Sequence, residues 1–139
     1  MVPDEQNILV VEADAGRRRL IERILVEEGF PVTAVSEGLS AIRAVKAARY
    51  ALAIAATVLP GSLDGAATIR EARRRQPELK ALFTAGSAET CLGSPAGDEV
   101  IVVPFRRGEL LGCVFALLQR ERRPGSDLAL RWREARHAR

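Results

Sequence analysis

Aromatic side chains make up only 4% of this 139-residue chain, and a single histidine and two cysteines complete a short list of reactive groups. With four Phe, one Tyr and one Trp, any core must be built mainly from Leu, Val, Ile and Ala. Cys91 and Cys113 form no Cys-x-x-Cys and have no histidine nearby, which reads as reduced thiols and not as a disulfide or a metal pair. No apolar run reaches the roughly 18 residues of a membrane span. The opening "MVPDEQNILVV" has no basic segment leading into a hydrophobic one, so no secretory signal is expected and the expected location is the cytoplasm. Gly-x-Gly-x-x-Gly, a Walker loop, a Gly-x-Ser-x-Gly elbow and His/Cys metal spacing are all missing, which argues against an enzyme; no cofactor and no metal site are expected.

What is present suits one folded domain. Hydrophobic residues reach 47% and charged residues 28%, enough to bury a full core and unlike a disordered chain. The net charge of +3 is unevenly placed: residues 1–119 carry 14 Lys and Arg against 15 Asp and Glu, and residues 120–139 carry seven Arg against three acids. Arginine outnumbers lysine nineteen to two, which fits a GC-rich genome better than a nucleic-acid-binding composition.

Strand and helix patterns alternate along the chain. "NILVV" (7–11) is a β-branched run of the kind buried on both faces of a parallel sheet. Asp14 caps a helix through about Glu28, with Leu20, Ile21, Ile24 and Leu25 on one face, and Gly29 stops it. "PVTAV" (31–35) is a second strand. Ser36 is the next cap, and Leu39, Ile42 and Val45 form the inward stripe of a helix ending near Arg49. "ALAIAA" (51–56) is a third strand, and Asp64 caps a helix to about Gln76, where Pro77 forbids continuation. "LKALFTA" (79–85) and "VIVV" (100–103) are the fourth and fifth strands, and Glu109–Arg122 is a last amphipathic helix. The segment 86–99, rich in Gly, has room only for a short or irregular fourth helix near 88–92. "RRPGSD" (122–127) ends the domain, so the expected division is 1–122 and an arginine-rich tail, 123–139. Five β-then-α units predict a doubly wound, five-stranded parallel sheet in a three-layer α/β/α sandwich.

In such a sheet, ligands bind at the carboxyl ends of the strands. The segments there are "EAD" (12–14), "ATVLPGSLDG" (56–65), "TAGS" (84–87) and "VPF" (103–105). With "ILVVE", "LPGSLDG", "FTA" and "VPF" in order on the expected strands, residues 5–121 resemble the receiver domain of two-component response regulators. The resemblance implies a flavodoxin-like, CheY-like fold and a cis proline at Pro104.

The departures from the family pattern concern its chemistry. The resemblance puts the phosphoacceptor aspartate four residues before the loop proline, at Ala56, the acidic pair at Glu12 and Ala13, and the lysine at Val103. Thr84 alone keeps its residue type, and Glu12 keeps its charge. Phosphoryl transfer to aspartate needs a carboxylate nucleophile, a divalent cation and a fixed cation on the phosphoryl oxygens. Ala56, Ala13 and Val103 remove all three, so the resemblance implies an emptied pocket. Asp14 reads as a helix cap, with a shifted metal ligand as the alternative, Asp64 reads as a helix cap, and Thr57 borders a strand end with no kinase recognition sequence around it. His137, in the tail, is not in a helical bundle of the kind that presents a phosphotransfer histidine.

The function implied is that of a pseudo-receiver, a phosphorylation-independent signalling or adaptor domain. Its expected partners are proteins of a two-component phosphorelay: a kinase, a regulator or effector, or a second copy of the chain. The competing reading is nucleic-acid binding through "RERRPGSDLALRWREARHAR", in which Trp132 could stack on a base. Three acids interrupt that run, no reader module accompanies it, and Leu128, Trp132 and Ala135 share a helical face. Packing against protein is therefore favoured over nucleic acid. A nucleotide or flavin enzyme is disfavoured because "EADAGRRR" is acidic where a phosphate needs N–H donors.

Overall fold

The structure is a computed structural model, which describes residues 6–86 and 98–119. Five strands, β1 (Ile8–Val11), β2 (Val32–Val35), β3 (Leu52–Ala56), β4 (Lys80–Ala85) and β5 (Glu99–Val102), form one parallel sheet in the order β2-β1-β3-β4-β5. Four helices among the described residues accompany it: α1 (Ala15–Glu27), α2 (Gly38–Ala47), α3 (Gly65–Arg75) and α4 (Arg107–Leu118). The irregular segment expected near 88–92 and the boundary at residue 122 lie outside the described residues, as do Cys91, Trp132 and His137.

Strand alternation divides the core in two. Leu9, Val11, Ala53, Ala55, Ala81 and Phe83 point to the α2 and α3 side, where they join Ala41, Val45, Ile69 and Ala72. Ile8, Val10, Leu52, Ile54 and Leu82 point to the other side, against Ile21, Ile24 and Leu25 of α1 and Leu110, Val114 and Leu117 of α4. β1 and β3 are buried throughout, as expected for central strands covered by helices on both faces.

The helix boundaries show which local signals decided them. Asp14 Oδ2 accepts from the Arg17 backbone N–H at 2.7 Å, and Asp64 Oδ1 from that of Ala67 at 2.8 Å, so both aspartates are N-caps. Ser36 is not: α2 begins after Glu37, and no side chain caps it. Leu20 and Leu39 are exposed, because the buried stripes run through Ile21, Ile24 and Leu25 in α1 and through Gly38, Ala41 and Val45 in α2. In α2 the helix turns its smallest residues inward. A Cβ on Gly38 would run into Thr68 Oγ1 and lie 2.8 Å from Leu63 Cβ, so glycine is what lets α2 settle against α3. α4 starts two residues before the predicted Glu109, where Glu109 Oε1 accepts from the Arg106 N–H at 2.7 Å.

Two polar locks tie the layers together. Gln76, buried at the end of α3, accepts from the Tyr50 N–H (2.9 Å) and donates to the carbonyls of Val45 (2.8 Å) and Ala48 (2.6 Å). Arg73 pairs with both Asp98 carboxylate oxygens at 2.7 and 3.0 Å and donates to the Leu79 carbonyl at 2.8 Å, joining α3 to the approach to β5.

Candidate functional site

Strand order reverses between β1 and β3, where the chain goes one way to β2 and the other to β4 and β5. Loops leaving the carboxyl ends of adjacent strands diverge there and open a crevice, the position at which doubly wound sheets bind ligands. The sequence-predicted residues converge on this end. Glu12 and Ala13 follow β1, Ala56 ends β3, Thr84 is the penultimate residue of β4, and Val103 and Pro104 follow β5. Ala56 and Thr84 are register partners across β3 and β4, both buried, and the Thr57 N–H donates to the Thr84 carbonyl at 2.9 Å. Val103, half-buried, is held by its N–H to the Ala85 carbonyl at 2.8 Å, and the Val103–Pro104 peptide bond is cis.

Ala56 is confined from behind as well. The Gly65 N–H donates to the Thr57 carbonyl at 3.1 Å, and a Cβ on Gly65 would run into the Ala56 carbonyl oxygen. The glycine of "LDG" therefore lets α3 begin directly against the end of β3.

Glu12 is buried, and both of its carboxylate oxygens are engaged. Oε2 accepts from the Asp14 N–H at 3.0 Å, and Oε1 faces Arg17 Nη1 at 3.3 Å. Arg18 Nη1 donates to the Glu12 carbonyl at 2.8 Å and to the Ala13 carbonyl at 3.3 Å. Two arginines of α1 thus fasten the loop after β1. In sequence, "EADAGRRR" reads only as a loop too acidic for a phosphate. The signal for the contact is an acid followed by arginines at five and six residues, which one helical turn brings back over the loop.

This geometry defines a doubly wound α/β domain whose cleft lies at the β1/β3 switch point. A family model described as the response regulator receiver domain matches residues 8–110, and the chain belongs to that family, the receiver domains of two-component signalling. The fold is the CheY-like, flavodoxin type. The chain is 33% identical over 120 residues to the transcriptional regulatory protein CseB of Streptomyces coelicolor, covering 84% of this chain and 51% of that protein. It is 32% identical over 118 residues to the DNA-binding response regulator MtrA of Mycobacterium tuberculosis, covering 83% and 51%. The chain therefore spans about half the length of the curated relatives it matches. Among solved structures, a response regulator receiver protein from Sinorhizobium medicae superposes with a TM-score of 0.76 at 27% identity, over 83% of this chain and 95% of that one. The receiver domain of sensor histidine kinase PA1611 from Pseudomonas aeruginosa, solved with magnesium coordinated in its active site cleft, gives 0.74 at 29% identity, over 83% and 98%.

The equivalent end of this chain does not fit such an ion. Mg²⁺ demands near-octahedral oxygen coordination with carboxylates as its protein ligands. Here Ala13 and Ala56 offer none, Asp14 is occupied in capping α1, and an arginine already faces Glu12. Among the described residues, no group of three or more His, Cys, Asp or Glu is placed to hold a metal.

Proposed function

We propose that this chain is a pseudo-receiver, a domain that keeps the receiver architecture and acts by presenting a fixed surface to protein partners, not by phosphorylation of an aspartate. The observation that carries this reading is the state of the switch-point cleft. Ala56 stands buried at the end of β3, and the remaining carboxylate, on Glu12, is matched to Arg17. Phosphoryl transfer needs a nucleophile and cations that gather on the phosphoryl oxygens. A methyl group, a valine at position 103 and a carboxylate neutralised from within supply neither.

The same contacts support a fixed conformation. Arg17 and Arg18 hold the loop after β1 from the first turns of α1, so contacts internal to the chain set its conformation. The partners of such a surface are a kinase, regulator or effector of a two-component pathway, or a second copy of the chain. The domain has no catalytic step of its own.

The test is incubation of the purified protein with acetyl phosphate and Mg²⁺, read by intact-mass spectrometry. The expected result is an unchanged mass. A gain of one phosphoryl group that hydroxylamine removes would be an acyl phosphate and would overturn the proposal.

A further inference from the structure

The sheet ends on one side at β2, which pairs with β1 alone among the described strands. The Ile8 N–H donates to the Pro31 carbonyl at 2.9 Å and the Glu12 N–H to the Val35 carbonyl at 3.0 Å. Pro31, Thr33 and Val35 therefore turn their backbone groups toward β1. Alternation along the strand turns the N–H and C=O of Val32 and Ala34 the other way, to the outer side, where no further strand of the described residues lies.

Such an edge is a template for another strand, and sheets guard it with a charge or proline in the strand, a bulge, or a covering helix. β2, "VTAV", contains neither charge nor proline, and it pairs with β1 in unbroken register, without a bulge. It is also uncovered. Leu9, the register partner of Thr33 on β1, is buried in the cluster that holds Ala41 and Val45 of α2, while Thr33 itself is exposed. The other outer strand, β5, carries the charge of Glu99.

We propose that two copies of this chain join through β2, antiparallel about a two-fold axis at Thr33, so that their sheets become continuous. The strand is self-complementary in that arrangement. Val32 comes opposite the partner subunit's Ala34, and Ala34 opposite the partner subunit's Val32, and each pair exchanges both of its outward N–H···O bonds. Thr33 comes opposite Thr33 of the partner subunit at the closer spacing of a pair without backbone bonds, where two threonines interact favourably. A contact between β2 of one copy and β5 of the next would be head-to-tail, whereas β2 on β2 closes at two copies. The inference deepens the reading of a second copy as partner. It does not rest on the state of the switch-point cleft, and phosphorylation by acetyl phosphate would leave it standing.

The test is sedimentation velocity of the full chain over a wide range of concentration, in which monomer is expected to give way to dimer. Thr33→Lys sets like charges opposite each other at the axis and is expected to weaken the dimer by about tenfold or more. Ala34→Pro removes an outward N–H without touching the bonds to β1, a position at which an edge strand tolerates proline, and is expected to weaken it as much. Val102→Lys makes the same charge change on exposed β5 and is expected to leave the dimer unchanged. Thermal melts confirm that each variant remains folded. A cross-link supplies the positive arm: Thr33→Cys, with Cys91→Ser and Cys113→Ser, would place the two Cα atoms about 4.5 Å apart, within disulfide range. It is expected to give a disulfide-linked dimer on mild oxidation. A chain that stays monomeric at every concentration, a Thr33→Cys protein that does not cross-link, or a dimer that Val102→Lys weakens and Thr33→Lys does not would each overturn the proposal.

Discussion

Arg17 Nη1 lies 3.3 Å from Glu12 Oε1, with the arginine side chain 38% exposed and that of the glutamate 4%. A carboxylate this far from water needs compensation, because desolvation penalises the charged form unless a cation or donors replace the lost hydration. Both are supplied within six residues of chain. The N–H of Asp14 covers one oxygen, and the first turn of α1 swings Arg17 back over the other. The cap on Asp14 fixes where that turn begins, so one exposed aspartate positions the cation for a buried glutamate.

Removing the cation is expected to cost more than removing the acid. Arg17→Met leaves Glu12 buried with one donor and should lower stability by about 1–2 kcal/mol, the lower end reflecting the half-exposed arginine. Glu12→Gln keeps an oxygen for the Asp14 N–H and releases an arginine that water can solvate, so its cost should be below about 1 kcal/mol. The double variant should recover most of the loss seen in Arg17→Met. Urea denaturation of the four proteins measures the coupling. An Arg17→Met protein as stable as the parent would mean that the pair contributes nothing.

Gln76→Leu tests the lock that ties the end of α3 to α2 and Tyr50. Leucine fits the volume but strands the Tyr50 N–H and the Val45 carbonyl, while the Ala48 carbonyl is close enough to the surface to find water. Two orphaned backbone groups should cost about 2–4 kcal/mol. The urea midpoint should fall with the slope unchanged. A loss below about 1 kcal/mol would show that the neighbouring backbone re-pairs elsewhere.

The extent to which the sequence revealed this molecule follows from how local each signal is. β1, β3 and the two aspartate caps depend on a few adjacent residues, and they were legible. The inward faces of α1 and α2 were read partly wrong because size misleads: Leu20 and Leu39 are large but exposed, while Gly38 and Ala41 face the core. Close helix approach selects small residues, which a search for large apolar stripes overlooks. The positions of Ala13, Ala56 and Val103 at one end of the sheet could be read from strand order. The Arg17 contact, the Gln76 lock and the pairing of Arg73 with Asp98 could not. They depend on side-chain reach and, for Gln76 and Arg73, on the packing of segments far apart in sequence.

Two glycines should respond to alanine with opposite signs. In a helix, alanine is favoured over glycine by about 1 kcal/mol. At Gly112, on the exposed face of α4, an added Cβ meets nothing within 4 Å, so Gly112→Ala should stabilise by about 0.5–1 kcal/mol. At Gly65 the same atom would run into the backbone oxygen of Ala56, which cannot rotate aside. Gly65→Ala should therefore destabilise by about 2–3 kcal/mol despite its better helix propensity. Equal effects at the two sites would rule out the close approach of α3 to β3.

Magnesium provides the most direct measure of the switch-point cleft. A ligand that binds only the folded state stabilises it by RT ln(1 + [L]/Kd), about 2.7 kcal/mol at one hundred times Kd. For a domain of this size each kcal/mol moves the melting temperature by roughly 2–5 °C, so a competent acidic site would announce itself in millimolar Mg²⁺. Binding here would have to displace Arg17 from Glu12, give up the cap on Asp14 or find ligands at Ala13 and Ala56, and each route opposes it. A hard ion that dehydrates reluctantly is not held by one preoccupied carboxylate. The melting temperature should therefore follow that in a monovalent salt of equal ionic strength, with no further rise. A Mg²⁺-specific increase of several degrees that disappears in Glu12→Gln would establish that Glu12 exchanges its arginine for the ion, and the cleft would then be a working metal site.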